Sequence, residues 1–581
     1  MAEVDANAGR KRELLVGLIF VALISALVFF SGLGNYPLFN PDEALYAEPA
    51  REMLVTGEYI TTLLNYVVRF TKPPLCIWAM ALCYQIFGVT EFAARFFGAA
   101  CAVILVSVTY LSIARFVSIR AALVGSLTLA SAPLFVFTAR EAITDMPLSL
   151  FGAGAQLAFF HANRSAYKRS LLYLGYFLIG LAVMTKGPVG IVLPVAILAV
   201  WHFLKGDLFA ALKAYRPISG AFIVAAIALP WFITEIVITK GAYFQEFIVR
   251  ENFQRFTAVV DAHKQPVYYH AVAMLGGFFP WTLYLPQAIF TSLVGYLAVL
   301  IGLLVSKSSS TTSSSNSSNS STASSSNLFI RLRNGSRDYI DSLDDAGQLS
   351  LYAIFWAAIT LIFFSASVSK LLPYTLPAFP ALAIIVACEF ERALNRNSFK
   401  RLGLPLVFFV VSYAAISLVA PDLISRLRDA PEGLPALISA YAGGQAVIVV
   451  VSLIIMRLGR KVAALTFLTA GTALFLMVHM HHVLPILSNK WEGPIPKFSR
   501  FAGQSKDPLI VFDMRKPGVP FYALKQVENI TGMEDLDARL KQVPQAYILL
   551  RVKKLPVFSE RKDVRIIAQE GDFALLQFKS N

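Results

Sequence analysis

The feature that most constrains this chain is a series of long apolar runs separated by short loops that carry lysine and arginine. A helix that crosses a bilayer needs roughly 17 to 25 mostly apolar residues, and about thirteen segments meet that requirement. Only 15% of the residues are charged, against roughly 25% in soluble domains, and 56% are hydrophobic. Because such a chain cannot cover its apolar surface in water, the sequence predicts a polytopic membrane protein.

We predict a mainly α-helical membrane bundle over residues 1–480 and a small soluble α/β domain over residues 481–581. In the soluble part, PLIVFD, QAYILLRV, DVRIIA and DFALLQF have strand character, and DLDARLKQ has helical character. The predicted spans are 14–33, 93–114, 121–139, 144–161, 171–185, 187–204, 217–238, 278–305, 349–366, 372–388, 402–420, 436–456 and 462–480.

Basic residues in the loops predict the orientation of the bundle. If the N-terminus is cytoplasmic, nearly every short basic loop falls on the cytoplasmic side, as the positive-inside rule requires. An odd number of spans then places the C-terminal domain on the periplasmic or extracytoplasmic face of the plasma (inner) membrane. The net charge of +15 is spread over these loops, so it indicates topology and membrane lipids as surroundings, not nucleic-acid binding.

Three connections are long. Residues 34–92 and 239–277 are predicted to face outward, and both contain amphipathic, aromatic-rich stretches that predict helices lying along the membrane surface. Residues 306–348 form the third connection, on the cytoplasmic side. Its first part, up to Asn327, is almost entirely Ser, Thr and Asn. Such a composition cannot bury a core, so it predicts a flexible linker.

Ionisable residues collect in the outward connections. Such groups are costly at membrane depth, so each is expected to have a partner or a function. Basic groups suit a phosphate, and carboxylates can orient hydroxyls or accept a proton, which favours a site for a lipid phosphate. The acids are Asp42, Glu43, Glu141, Asp145 and Glu251, and the other polar residues are Arg69, Lys72, Arg140, Lys186, Arg250, Arg255, His263, Lys264, Lys370 and Tyr374.

Each of these residues also has a purely structural interpretation. Asp42 and Asp145 precede helical runs and could cap them. A lysine before Pro-Pro could be an interfacial anchor, and lysines at helix ends could complete a C-terminal dipole. His263 is a lone histidine in a loop, which is a weak signal for a metal ligand. All these residues are predicted to lie on the same, outward side of the membrane, and this shared location favours a binding site.

An ordered set of motifs resembles a known superfamily. The set comprises FNPDEALYAEPAREM, FTKPPL, TDMPL, MTKGP, RENFQRF, HKQPVYY, FFPW and SKLLPYTLPAFP. In that order they resemble the bacterial aminoarabinose transferases, which modify lipid A, and the protein mannosyltransferases. These are membrane glycosyltransferases of the C-type fold. The resemblance covers roughly residues 10–390 and implies transfer of a sugar from a polyprenyl-phosphate donor on the outer face of the membrane.

The resemblance also implies roles for individual residues. Asp42, Glu43 and Asp145 would be the catalytic acids. The donor phosphate would be held by basic residues with the help of a tyrosine, and the candidates are Arg69, Lys72, Lys186, Arg255, Lys370 and Tyr374.

A divalent metal is the only cofactor that the resemblance implies, with His263 as a ligand. Aminoarabinose transferases carry a glutamate immediately before the lysine of the KPP motif, and that glutamate shares the metal. This chain has Thr71 there, and a hydroxyl is a poor substitute for a carboxylate. The departure leaves open both the metal requirement and aminoarabinose as the sugar.

Several alternatives stay open from the sequence. The acceptor could be a glycolipid such as lipid A, another glycan, or a protein, as in protein O-mannosyltransferases. A lipid flippase or transporter is the main alternative from another class. Such a protein is expected to bind its substrate near the bilayer midplane, often between repeated halves. A receptor that works through its C-terminal domain would leave the outward ionisable residues without a role.

Overall fold

A computed structural model of the chain describes residues 2–254, 265–310, 321–426 and 430–580. These residues form a bundle of long helices that is followed by a separate β-sheet near the C-terminus. The predicted fold class, a mainly α-helical membrane bundle with a small C-terminal α/β domain, is confirmed.

The first half of the bundle is interrupted by one short antiparallel hairpin, β1 (Leu63–Leu64) and β2 (Val67–Val68). Its helices are α1 (Ala2–Phe30), α2 (Ala44–Thr56), α3 (Leu75–Phe87), α4 (Glu91–Phe116), α5 (Ile119–Ala130), α6 (Pro133–Ala139), α7 (Asp145–Arg164), α8 (Arg169–Lys186), α9 (Val189–Leu204), α10 (Leu208–Tyr215) and α11 (Pro217–Ile238).

The second half begins with a π-helix, Phe244–Gln254, and includes two 3-10 turns, Trp281–Tyr284 and Leu372–Ala378. Its α-helices are α12 (Tyr269–Gly277), α13 (Leu285–Ser310), α14 (Ser321–Ser342), α15 (Asp345–Ala366), α16 (Phe379–Asn395), α17 (Phe399–Ser425), α18 (Leu434–Arg457) and α19 (Lys461–Trp491).

Nine helices in the described part of the chain are long and apolar enough to cross a membrane. A tenth span results if α5 and α6, which are bent by 66° at their junction, are counted together. Every predicted span coincides with one of these helices or with α7, α8 or α9. Those three do not meet the same criterion of length and composition, so the total of about thirteen spans stays a prediction.

Side-chain caps fix the first residues of several helices. Each cap accepts a hydrogen bond from a backbone N–H that has no partner inside the helix, which typically stabilises the helix by about 1 kcal/mol. The cap of α4 is Thr90, and it places Arg95 in the second turn of that helix. The caps and their donors are Thr90 with Ala93, Ser118 with Ala121, Asp344 with Gly347, and Ser398 with Arg401.

Residues 34–92 contain α2 and α3, where the sequence predicts surface helices. Their apolar side chains form one cluster with the start of α4 and with the C-terminal domain. Met53, Met80 and Ala93 belong to that cluster, as does Phe521 of the C-terminal domain. These residues therefore make a layer that contacts both the bundle and the C-terminal domain.

The C-terminal domain is a mixed five-stranded sheet of order β4-β3-β5-β7-β6. Strand β3 pairs parallel with β4 and β5, and β7 pairs antiparallel with β5 and β6. One face packs on α20 and α21, and the other packs on α22. The elements are α20 (Ile495–Gly503), β3 (Leu509–Phe512), α21 (Gly518–Ala523), β4 (Glu528–Ile530), α22 (Met533–Leu540), β5 (Gln545–Arg551), a 3-10 turn (Val552–Phe558), β6 (Val564–Glu570) and β7 (Phe573–Lys579).

The four predicted strands of this domain and its predicted helix are confirmed as β3, β5, β6, β7 and α22. Strand β4 was not predicted, because three residues are too few to show a period. Helix α19 extends to Trp491, past the predicted end at residue 480, so the soluble fold begins nearer residue 492.

The predicted flexible loop 306–348 needs a correction. Residues 311–320 lie outside the described residues, but α14 is helical through Ser342. The Ser-rich composition ends at Asn327, and the sequence beyond it has helical spacing of apolar residues. Ile340 is fully buried, and the Ser336 hydroxyl donates a hydrogen bond to the Leu204 carbonyl at 2.5 Å. The end of this connection is therefore a helix that packs against α9.

Candidate active site

A cavity of about 400 Å³ opens at the end of the bundle that carries the C-terminal domain. Segments far apart in the sequence meet there: the stretch before α3, the turn between α8 and α9, the π-helix, and the turn after α15. The wall consists of Lys72, Asp145, Lys186, Glu251, Ser367 and Tyr374 together with the apolar residues Leu148, Pro188, Val189, Val192, Ile248, Phe363, Phe364 and Pro377.

Asp145 and Lys186 form an ion pair in this wall. Lys186 Nζ lies 2.6 Å from Asp145 Oδ1 and 4.6 Å from the centre of the Tyr374 ring. Asp145 is the first residue of α7 and Lys186 is the last residue of α8, so both charges also suit their helix dipoles. Asp145 and Lys186 can therefore stabilise their helix ends and also bind a ligand in the cavity.

Lys72 and Glu251 form a second pair, with Lys72 Nζ 3.4 Å from Glu251 Oε2. Pro73 and Pro74 follow the lysine, and Pro74 is the N-cap residue of α3. Glu251 belongs to the π-helix, a geometry that is frequent at functional sites. The side chains of both pairs are 10–14% exposed, so an anion in the cavity can reach both lysines.

Asp42 is exposed, lies in the turn before α2 and does not line the cavity. The charges of Asp42 and of the cavity residue Asp145 both act on the Glu141 carboxyl, which indicates that Asp42 lies near the rim of the site. The N-cap position of α2 is Glu43, so Asp42 does not cap that helix. Nearby, burial holds the pKa of the Glu141 carboxyl well above its usual value, and the charges of Glu43, Asp42 and Asp145 add to that effect. Glu141 therefore keeps its proton to a higher pH than a free glutamate does, which limits the negative charge near Asp42 and Asp145.

Glu43 differs from Asp42 although the two residues are adjacent. Glu43 is fully buried, and the Arg95 guanidinium donates two hydrogen bonds to its carboxylate, both at 2.7 Å. The backbone N–H groups of Phe39 and Ala142 donate two more, both at 2.8 Å. The acceptor positions of a carboxylate are then all occupied. This geometry contradicts a direct catalytic role for Glu43, which instead fixes the turn that presents Asp42.

Comparisons with known proteins show what the chain is similar to. Residues 71–233 match the family model described as dolichyl-phosphate-mannose-protein mannosyltransferase. An uncharacterized protein of Aquifex aeolicus is 27% identical over 401 residues, which are 69% of each chain. An undecaprenyl phosphate-alpha-4-amino-4-deoxy-L-arabinose arabinosyl transferase of Shewanella sediminis is 26% identical over 466 residues, or 79% of this chain and 75% of that protein.

The fold is also that of a solved structure. The crystal structure of ArnT from Cupriavidus metallidurans bound to undecaprenyl phosphate superposes with a TM-score of 0.75 at 22% identity, and 97% of each chain is covered. The chain is therefore similar in sequence to the aminoarabinose transferases and the protein mannosyltransferases, and it shares the fold of ArnT. The predicted resemblance is confirmed.

Four further residues were expected at the site from the resemblance: Lys370, Arg69, Arg255 and His263. Lys370 is buried, and its ammonium group donates a hydrogen bond to the Ser367 carbonyl, so it supports the turn that lines the cavity. Arg69 donates a hydrogen bond to the Leu45 carbonyl and does not line the cavity. Arg255 and His263 lie outside the described residues.

The metal site implied by the resemblance stays a prediction, because its expected ligand His263 lies outside the described residues. Within them, no three side chains of His, Cys, Asp or Glu are grouped as metal ligands. Thr71 stands next to Lys72, where a metal-binding member would have a carboxylate. A threonine hydroxyl is a weak ligand for a hard or borderline cation.

The sequence did not predict the partners of two residues, Glu251 and Arg95. Glu251 and Arg250 are adjacent in the sequence but have different partners: Arg250 pairs with Glu246 at 2.7 Å, and Glu251 contacts Lys72 at 3.4 Å. Arg95 was counted as part of an apolar span. A charge within such a run is costly, and that cost was the signal that could have identified it.

A larger cavity, of about 490 Å³, lies between α8, α9 and α11. Among the described residues, its wall is apolar except for His202, Tyr176 and Tyr215, and it contains no lysine or arginine. The chemistry that a phosphate donor requires is found in the smaller cavity.

Proposed function

We propose that the protein transfers a sugar from a polyprenyl-phosphate donor to an acceptor at the extracytoplasmic face of the membrane. The observation that carries this proposal is the cavity in which Lys72 and Lys186 face apolar side chains such as Val192 and Phe363. Cations beside an apolar wall suit a phosphate that is attached to a lipid tail. The relatives that act on undecaprenyl phosphate support the same donor class.

The reaction breaks the bond between the anomeric carbon and the donor phosphate oxygen. Negative charge develops on that leaving oxygen, and fixed cations in a water-poor cavity stabilise it more strongly than water does. Lys72 and Lys186 supply those cations, and Tyr374 confines the Lys186 ammonium group. Asp145 orients Lys186 through their 2.6 Å contact.

Asp42 is the residue that acts on the acceptor. If the acceptor offers a neutral hydroxyl, the Asp42 carboxylate removes its proton as a general base. If the acceptor is a phosphate, as on lipid A, the nucleophile is already anionic and Asp42 orients it. The exposed position of Asp42 at the rim suits an acceptor that arrives from outside the cavity.

The orientation of the bundle follows from the basic loops. Helix α9 begins beside Lys186 and ends at Leu204, so Lys205 lies at the opposite end of the bundle from the cavity. The positive-inside rule assigns such basic ends to the cytoplasm. The cavity and the C-terminal domain then lie outside the cytoplasm, and the N-terminus lies inside it.

A glycolipid of the lipid A type or another glycan is the proposed acceptor, and a protein acceptor is the alternative. The match of residues 71–233 to the protein mannosyltransferase model favours keeping that alternative. A flippase is less consistent with the geometry. Such a protein binds near the bilayer midplane, whereas Asp145 and Lys186 stand at helix ends.

The proposal is tested by incubating the purified protein with a panel of undecaprenyl-phosphate sugars and with lipid A, glycan and peptide acceptors. We expect one sugar to be consumed and free undecaprenyl phosphate to appear in equal amount, with or without a chelator. A variant with both Lys72→Ala and Lys186→Ala should be inactive. Movement of the intact donor across vesicle membranes without sugar release would instead support a flippase.

A further inference from the structure

We infer that Glu492 is a positioning residue of the C-terminal domain. Its hydrogen bonds to Asn40 fix the turn that carries Asp42. The inference deepens the proposed function, because Asp42 is the residue expected to act on the acceptor. It gives the C-terminal domain a role in catalysis although that domain contributes no residue to the cavity wall.

Three hydrogen bonds connect Asn40 to the C-terminal domain and to the residue that follows α19. Glu492 Oε1 accepts a hydrogen bond from the Asn40 backbone N–H at 3.0 Å, and Glu492 Oε2 accepts one from Asn40 Nδ2 at 2.6 Å. On its other side, Asn40 Oδ1 accepts a hydrogen bond from the Gly518 N–H at 2.7 Å. Backbone and side chain of Asn40 are therefore both held, two residues before Asp42.

The burial of Glu492 indicates that its position is specific. The residue is 2% exposed, and a carboxylate is costly to bury unless charged or polar groups surround it. Lys516 Nζ lies 3.2 Å from Glu492 Oε2 and supplies the compensating charge. A Cβ at Gly518 would lie 2.7 Å from Asn40 Nδ2, so only glycine allows this close approach.

Other contacts hold the same layer to the domain independently of Glu492. Tyr522 OH accepts a hydrogen bond from the Leu38 N–H at 2.8 Å. Further along the layer, Asn65 and the backbone of Val527 exchange two hydrogen bonds at 2.7 and 2.8 Å. Loss of the Glu492 contact should therefore displace the turn at Asp42 without detaching the domain.

The test uses a reversal of hydrogen-bond polarity in the full-length protein. Glu492→Gln places an amide donor against the Asn40 amide, and Asn40→Asp places two carboxylates together. The double variant Asn40→Asp/Glu492→Gln restores one donor and one acceptor at each contact. Glu570→Gln is the matched control, because Glu570 pairs with Lys497 on the exposed surface of the same domain.

We expect each single variant to lower kcat on the order of 10- to 100-fold, because small displacements of a reacting group are costly. KM for the donor should change less than about twofold, since the cavity lysines are untouched. The double variant should recover most of the lost kcat, and the control should match wild type. A purely structural role would not produce this recovery together with an unchanged KM.

Hydrogen exchange of residues 37–46 gives a readout that does not depend on catalysis. Exchange should be faster in both single variants and should return toward wild type in the double variant. Unchanged exchange and kcat in Glu492→Gln, or a double variant no better than the single ones, overturns the inference. If wild type transfers no sugar, the proposed function fails, and the exchange pattern alone still decides whether Glu492 holds the turn.

Discussion

Two kinds of ion pair lie at the same end of this molecule, and they differ in what they can do. Lys186 and Asp145 make one contact and remain partly exposed to the cavity, whereas Arg95 and Glu43 make two contacts with no exposure at all. An ammonium group is a point charge on a flexible stem and can turn to a phosphate. A planar guanidinium bound at two positions holds a carboxylate in a fixed geometry. The Lys186–Asp145 pair is therefore suited to binding a ligand, and the Arg95–Glu43 pair is suited to stabilising the fold.

The adjacent acids Asp42 and Glu43 show the same contrast, because Asp42 is exposed and Glu43 is buried against Arg95. The variant Asp42→Asn tests this contrast and has the largest expected effect. Loss of a general base should lower kcat on the order of 10²- to 10⁴-fold while donor binding and thermal stability persist. Turnover by the purified variant is compared with that of Asp422→Asn, which alters an exposed pair with Arg426. Wild-type turnover by Asp42→Asn would remove Asp42 from the mechanism.

Arg95→Ala tests the scaffold side of the comparison. Removal of the guanidinium leaves the Glu43 carboxylate buried without its charge partner, which should cost about 3–5 kcal/mol of stability. The matched control is Arg539→Ala, because Arg539 also makes two 2.7 Å contacts with a glutamate, Glu528, but both side chains are about one-third exposed. That change should cost at most about 1 kcal/mol. Equal shifts in Tm for the two variants would refute the distinction.

Lys186→Ala tests the binding side, with a smaller expected effect. Loss of one charged contact to the donor phosphate should weaken binding by about 1.5–3 kcal/mol, while Tm stays near that of wild type. Binding of undecaprenyl phosphate is measured directly and compared with Lys205→Ala, whose partner Asp341 lies 3.3 Å away at the other end of α9. Unchanged affinity in Lys186→Ala would place the phosphate elsewhere.

Glu141→Gln tests how a third acid near Asp42 and Asp145 affects donor binding as the pH changes. We expect this variant to have the smallest effect. Burial raises the pKa of Glu141, with neighbouring acids adding to it, so the folded protein keeps the neutral form to a higher pH than the unfolded chain does. Above that pKa, ionisation adds a negative charge beside Asp42 and Asp145 and opposes donor binding. As the pH rises through that pKa, the glutamine variant should therefore lose less donor affinity than wild type, measured as binding of undecaprenyl phosphate over a series of pH values. Identical pH profiles would exclude this role for Glu141.

The sequence predicted the positions of the spans and of the long strands because hydropathy and periodicity are local properties. It also placed Lys72, Asp145, Lys186 and Tyr374 on one side of the membrane, and the structure brings those four residues around one cavity. The loop charges and the order of the motifs allowed this prediction. Two loops lie on the same side of the membrane when an even number of spans separates them, and the sequence is enough to count spans.

The partners of individual charges could not be predicted. Asp42 and Glu43 are equivalent acids in the sequence, and only the direction of the turn before α2 sends one to the rim and the other to Arg95. The link between Asn40 and Glu492 joins residues 452 positions apart, and no local pattern indicates it. Such contacts depend on how the layers stack, which becomes visible only in three dimensions.

Both cavity lysines already have a carboxylate neighbour, Asp145 for Lys186 and Glu251 for Lys72. This arrangement affects the end of the catalytic cycle. When the spent lipid phosphate departs, each ammonium group regains an internal counter-ion at once, so no bare charge has to wait in a poorly hydrated chamber. In the proposed mechanism, the two carboxylates therefore make it less costly for the spent lipid phosphate to leave, because the lysine charges stay compensated.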